Sequence, residues 1–202
     1  MSVTKKQYED LLKQILNMYY QANSYFVLFD LLNKKRKDSL EKLNLSPGFF
    51  NIITMSLIDG LIITLSKILK NNTQSFSIYK FLRISKANQQ IFNNFPKKDL
   101  ENGIIEKIDK DTFTDFITEL DKHKQIVEKL IDFRDKYTAH LDYDFLKKNK
   151  TITISEDEIE ALLITLHKII CKISVAFNGS SCSKEISGTR DFEILIDKIK
   201  TT

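Results

Sequence analysis

Residues 113–142, FTDFITELDKHKQIVEKLIDFRDKYTAHLD, decide how the chain is to be read. Phe113, Leu120 and Val127 recur every seven residues, so the segment reads as a packing helix with one face toward a core. That register then meets Arg134 before it reaches Leu141, and the register of Ile126 and Phe133 arrives at His140. An arginine and a histidine thus stand where the pattern asks for hydrophobes. Arg134, Tyr137 and His140 are three apart, and on a regular helix they form one slanted ridge. Arg134 and His140 would lie about 9 Å apart along the axis and about 120° apart around it, too far for one helix to hold a small anion between them. Asp135 and Lys136 share registers with Glu128 and Lys129 on the polar face, where Asp135 is close enough to orient its neighbour.

The rest of the chain supports a helical setting. With 202 residues, 42% of them hydrophobic and 29% charged, it can bury a sizeable core within one domain. Five glycines and two prolines are too few for a turn-rich β protein. The net charge of +4 and pI of about 8.8 permit a phosphate-bearing partner without demanding one. Cys171 and Cys182 have no metal or redox spacing and read as reduced thiols of a cytoplasmic protein. The opening MSVTKKQYEDLL has no apolar signal region, so secretion is not expected. The apolar run FFNIITMSLIDGLIITLS, residues 49–66, is broken by Asn51, Asp59, Gly60 and several hydroxyls. It reads as the central helix of a bundle, covered on all sides, rather than as a membrane span.

Tyr8, Leu12, Ile15, Tyr19, Ala22, Phe26 and Phe29 mark one face of a first helix, from about Thr4 into the thirties. It ends in the basic run KKRKD, residues 34–38, which reads as a solvated helix end suited to the dipole. Ser46-Pro47 is a restart signal, and the apolar helix it begins fades at Asn71-Asn72. SFSIYKFL, residues 75–82, suggests a short helix, and FPKKDLENG, residues 95–103, a surface loop. The motif helix is expected to start near Asp111 or Thr112. TITIS, residues 151–155, alternates like a short strand and also delivers a capping box, Ser155 with Glu158, with Ile154 placed to staple onto Ile159. The helix it begins should run to about Phe177 and stop at Gly179. Phe192, Leu195, Ile196 and Ile199 mark a last short helix. The expected fold is all-α: one domain over 1–202, a bundle of four to five main helices plus short ones. The first helix (4–37) and the last (189–199) extend that bundle.

A guanidinium in an apolar stripe is costly unless it is paired or faces something polar. One reading pairs Arg134 with the lone Asp59 of the apolar helix, satisfies His140 through a carbonyl or Asp144, and makes Tyr137 a packing tyrosine. The other puts the ridge at a two-fold interface, where two copies bring two arginines and two histidines around one cleft. Arginine suits phosphate by charge and fork geometry, and histidine titrates near neutrality and moves protons. Together they point to cleavage of RNA, histidine taking the 2′-OH proton and arginine stabilising charge on the phosphate oxygens. His123, His140 and His167 are dispersed, and there is no P-loop, GxGxxG or GxSxG, so no metal or cofactor is expected. Lys136 and the run Lys147, Lys148 and Lys150 flank the motif as RNA-contacting candidates, with Lys97-Lys98 a weaker one.

RDKYTAH resembles the R-x4-6-H motif of the HEPN superfamily (higher eukaryotes and prokaryotes nucleotide-binding), in which a polar residue follows the arginine. The longer RDKYTAHLD is similar to the AbiU-type, abortive-infection branch. LIITLSKILKNNTQSFSIYKFL, residues 61–82, is similar to the helix, polar break and serine-led helix that precede the motif there. The resemblance covers roughly residues 45–178. It implies a HEPN-like helical bundle that forms a homodimer through the helix carrying Arg134 and His140. The activity it implies is a metal-independent endoribonuclease of the toxin and phage-defence type, leaving 2′,3′-cyclic phosphate ends. Arg134 and His140 would be the catalytic pair, supported by Asp135, Tyr137 and Asp142, and the partners would be RNA and an antitoxin protein, with no membrane. Some members carry a tyrosine two residues after the histidine that a partner nucleotidyltransferase modifies. Here Asp142 stands at that place and Tyr143 follows, a departure from that mode of control. The alternative is a non-catalytic dimeric helical module that binds RNA or a protein.

Overall fold

The computed structural model describes residues 2–72, 74–92, 108–139, 154–183 and 189–199, with the side chains of 137–139 outside that description. Every regular element among them is helical, as the composition requires. Helix α1 spans Lys5–Asp38 and opens with a capping box, Thr4 accepting from the Gln7 amide while the Gln7 side chain accepts from the Thr4 amide. A four-residue turn, α2 (Leu40–Leu43), leads to the apolar α3 (Pro47–Leu69). Pro47 occupies the first turn, but the Ser46 side chain makes no capping bond. Helix α4 (Ile78–Ala87) is capped by Ser77 and runs into a 3₁₀ turn, Gln89–Phe92. Helix α7 (Glu156–Asn178) starts on the Ser155–Glu158 capping box and stops at Gly179, whose φ of 76° only glycine adopts readily. Helix α8 is Thr189–Lys198.

The segment that decides the fold is less regular than its sequence period. It divides into α5 (Lys110–Asp121), α6 (Lys124–Phe133) and a π-helical turn, Arg134–Ala139. An Asp109–Thr112 capping box sets the start, one residue before the expected Asp111. The break falls at Lys122-His123, yet Leu120 and Val127 on its two sides are both buried. The apolar stripe therefore survives the break.

Most of the core is one cluster. Tyr8, Leu12, Ile15, Tyr19 and Ala22 of α1 meet Leu61, Leu65, Ile68 and Leu69 of α3, together with residues of α4 to α7. Tyr8 sits among the rings of Phe81, Phe92 and Phe177, and its hydroxyl bonds Ser85 Oγ at 2.7 Å. Each such fully buried large side chain is worth about 1.5–3 kcal/mol. Helices α1 and α3 form the most extensive pair, and Gly60 lets them close: a Cβ there would stand 2.8 Å from the Tyr25 ring. A smaller cluster of Leu32, Leu43, Phe50 and Ile196 gathers the far ends of α1 and α3 with α2 and α8.

Two expectations change here. The basic run that ends α1 is more than a solvated end. Arg36 donates to the buried Thr54 hydroxyl at 2.7 Å, and Lys35 lies 3.6 Å from Asp197. Helix α3 is not covered on all sides either. It is buried mainly from Leu61 onward, whereas Phe49, Ile52 and Met55 on its first half are 55%, 67% and 53% exposed. Among the described residues, α3 is the one helix long and apolar enough to cross a membrane. The expected loop at 95–103 lies outside the described residues. So do residues 151–153 of the alternating TITIS stretch, whose last two residues, Ile154 and Ser155, are not in a strand.

Candidate functional site

Arg134 is placed by the helices that meet at its base. Val127 and Leu130 anchor α6 in the core, and the buried Ser66 hydroxyl of α3 donates to the Leu130 carbonyl at 3.3 Å. That bond ties α3 to the turn just before the motif. The backbone then widens into the π turn, which holds Arg134 to Ala139. Such turns are rare and gather at functional positions. In i→i+5 geometry residues four and five apart share a face, so the ridge expected from three-residue spacing is not carried through the motif. Tyr137 belongs to this turn by its backbone. Its side chain, His140, Asp142, Lys147, Lys148 and Lys150 all lie outside the described residues, as do Lys97 and Lys98.

The Arg134 side chain is 16% exposed, and its carboxylate partner is Asp135, not Asp59. Nε and Nη2 donate to Asp135 Oδ1 at 2.8 and 2.5 Å, while Asp135 itself is 54% exposed. The pair is thus open to water on the acid's side and covered on the guanidinium's. Lys136 points to another partner, Asp132, at 3.1 Å, one turn back.

The covered side of Arg134 faces an open cleft of about 330 Å³ between α1, α3 and the loop before α4. Gln14, Met18 and Gln21 share one face of α1 and form one wall. Thr64 and Lys67 of α3, with Lys70 just past its end, form another. Ser75 and Phe76 close it from the loop. Asn72 shapes that loop, its side chain accepting from the Ser75 amide at 2.8 Å and from the Ser75 hydroxyl. Asn71 accepts from Arg83 of α4 at 2.6 Å, and the Phe76 ring rests edge-on against Phe81. The cleft therefore gathers three cations, Lys67, Lys70 and Arg134, and no carboxylate lines it. Neither lysine forms an ion pair among the described residues.

None of these cleft partners stands out in the sequence. Lys67 and Lys70 look like cations placed at a helix end, and Gln14 and Gln21 like polar positions on an amphipathic helix. The one local hint is that Lys67 breaks the apolar run of α3. Only the packing of α1 on α3 brings the set to Arg134.

Two other histidines are in structural settings. His123 Nε2 lies 2.9 Å from Thr165 Oγ1, and that hydroxyl donates to the Ala161 carbonyl, so the imidazole is the donor. Burial holds its pKa below the ordinary value; Glu119 opposes that and Lys122 adds to it. His167 stacks near Tyr19 with Nε2 buried and unbonded, beside a shallow groove of about 230 Å³ between α1 and α7. Burial also pushes the Cys182 thiol up to about 12, where it is a poor nucleophile. Among the described residues no three His, Cys, Asp or Glu side chains come together as a metal site would require.

A family model described as AbiU2, of the HEPN type, matches residues 5–198. No curated protein and no solved structure matches the chain.

Proposed function

The chain belongs to the HEPN AbiU2 family, and from that premise we propose that this abortive-infection-type domain is an endoribonuclease working by acid–base chemistry at a site shared by two copies. The observation that carries the reading is Arg134: a largely covered guanidinium that faces a cleft with two further cations and no carboxylate. A phosphodiester is the ligand such a site suits, because arginine grips phosphate oxygens and the lysines add charge. In the reaction, one His140 imidazole removes the 2′-OH proton as the 2′-oxygen attacks phosphorus. The P–O5′ bond breaks, and the imidazolium of the other copy returns a proton to the departing 5′-oxygen. The products are a 2′,3′-cyclic phosphate and a 5′-hydroxyl. Arg134 stabilises the charge that grows on the non-bridging oxygens, and Asp135 fixes the direction of the guanidinium. The partners on this reading are RNA, a second copy of the chain and an antitoxin protein, in the cytoplasm.

A mixing experiment tests the shared site. Arg134→Ala and His140→Ala are each inactive as homodimers, and unfolding and refolding them together gives heterodimers in which one arginine and one histidine meet across the interface. Restored cleavage in the mixture is the expected result. A mixture as inactive as its parts, with heterodimers verified by mass, overturns the shared site. The second reading, a non-catalytic docking module, draws on the exposed Phe49, Ile52 and Met55. It predicts that His140→Ala changes nothing.

A further inference from the structure

The cleft beside Arg134 is built for more than the scissile phosphate. We propose that it is a subsite for one unpaired nucleotide of single-stranded RNA, with Lys67 and Lys70 on the phosphate and Phe76 under the base; its choice of substrate rests on the ribonuclease reading.

Size, charge and surface each narrow the ligand. A volume of about 330 Å³ lies at the lower end of small-molecule sites, which start near ~300 Å³, so it admits a nucleotide and not the width of a duplex. Three cations without a lining carboxylate require an anion, and Lys67, exposed at the rim, is placed to meet a backbone that enters from solvent. Phe76 gives the cleft an aromatic surface, held in place by its edge contact with Phe81 at 6.4 Å between centroids. Aromatic faces in basic grooves are how proteins hold splayed single-stranded bases, whereas double-stranded RNA keeps its bases stacked and out of reach. Gln14 and Gln21 add amide donors and acceptors on the opposite wall, suited to a base edge or a ribose hydroxyl. A free mononucleotide would satisfy the same groups less well, because the cleft is open and continues to Arg134.

The test separates binding from cleavage. A short fluorescein-labelled 2′-O-methyl RNA, which has no free 2′-hydroxyl to attack, is titrated with the full chain by fluorescence anisotropy, as a single strand and as a duplex. Lys67→Ala/Lys70→Ala should weaken single-strand binding about tenfold or more and flatten the plot of log affinity against log salt by about 1.4, at ~0.7 per lost phosphate contact. Phe76→Leu, which keeps the packing on Phe81 and removes the flat face, should weaken it about fivefold or more. Lys5→Ala/Lys168→Ala, outside the cleft, should leave both quantities unchanged. Wild-type affinity and slope in the double lysine variant, or a duplex bound as tightly as the single strand, overturn the subsite. Cleavable RNA then separates the two claims. A wild type that binds in this pattern but does not cleave refutes the ribonuclease reading and leaves the subsite. Cleavage by Lys67→Ala/Lys70→Ala with unchanged KM refutes the subsite and leaves the ribonuclease.

Discussion

Removing one partner at a time from the Arg134–Asp135 pair should give unequal results, and the inequality follows from exposure. Arg134→Gln keeps part of the aliphatic stem and leaves Asp135, already 54% exposed, to water. An ion pair open to solvent contributes about 0–1 kcal/mol, so the loss should fall in that range. Asp135→Ala instead strands a guanidinium that is 16% exposed, in a cleft shared with Lys67 and Lys70. Leaving a covered donor unsatisfied costs about 1–3 kcal/mol. Urea denaturation of the full chain reads the difference. With a slope of about 1–3 kcal/mol/M, the Asp135→Ala midpoint should fall below that of Arg134→Gln by roughly 0.3–1 M. Both variants should lose ribonuclease activity while keeping helical circular dichroism. The reasoning is refuted if Arg134→Gln is the more damaging change and costs about 3–5 kcal/mol, the mark of a buried pair broken from the arginine side.

Gly60→Ala places a methyl against the Tyr25 ring, and overpacking of about 1–3 kcal/mol should outweigh a helix-propensity gain of about 1 kcal/mol. Calorimetry should show a lower Tm in the wild-type background and a higher one when Tyr25→Ala has removed the ring. The pKa of His123 is depressed by burial, so below about pH 6.5 the unfolded chain binds a proton that the folded chain resists. This contribution is complete above the ordinary histidine pKa and is lost as the pH falls through it. His123→Gln should therefore flatten the urea midpoint between about pH 7.5 and 5.5, and an unchanged pH profile would contradict the assignment.

The helical fold was legible because its signals are local. The Ser155–Glu158 box, Gly179 and the seven-residue recurrence of Phe113, Leu120 and Val127 each act within a turn or two of themselves. The interruptions were not legible. The period of the stripe passes through the Lys122-His123 break because Leu120 and Val127 both stay buried, and nothing in RDKYTA spells a π turn instead of an α turn. Arg134 could be picked out as an anomaly in an apolar register. Its surroundings could not, because Gln14 of α1, Lys67 of α3 and Phe76 of the loop become neighbours only through long-range packing. The same limit explains Arg36, a helix-end cation by sequence that in the fold bonds Thr54 across the smaller core.

The central claim is tested most directly by incubating purified wild type and His140→Ala with total RNA and transfer RNA in excess EDTA, followed by analysis of the new ends. Cleavage by the wild type alone, leaving 2′,3′-cyclic phosphate and 5′-hydroxyl termini, is the predicted result. Intact RNA with both proteins folded and dimeric, or equal cleavage by both, would contradict it.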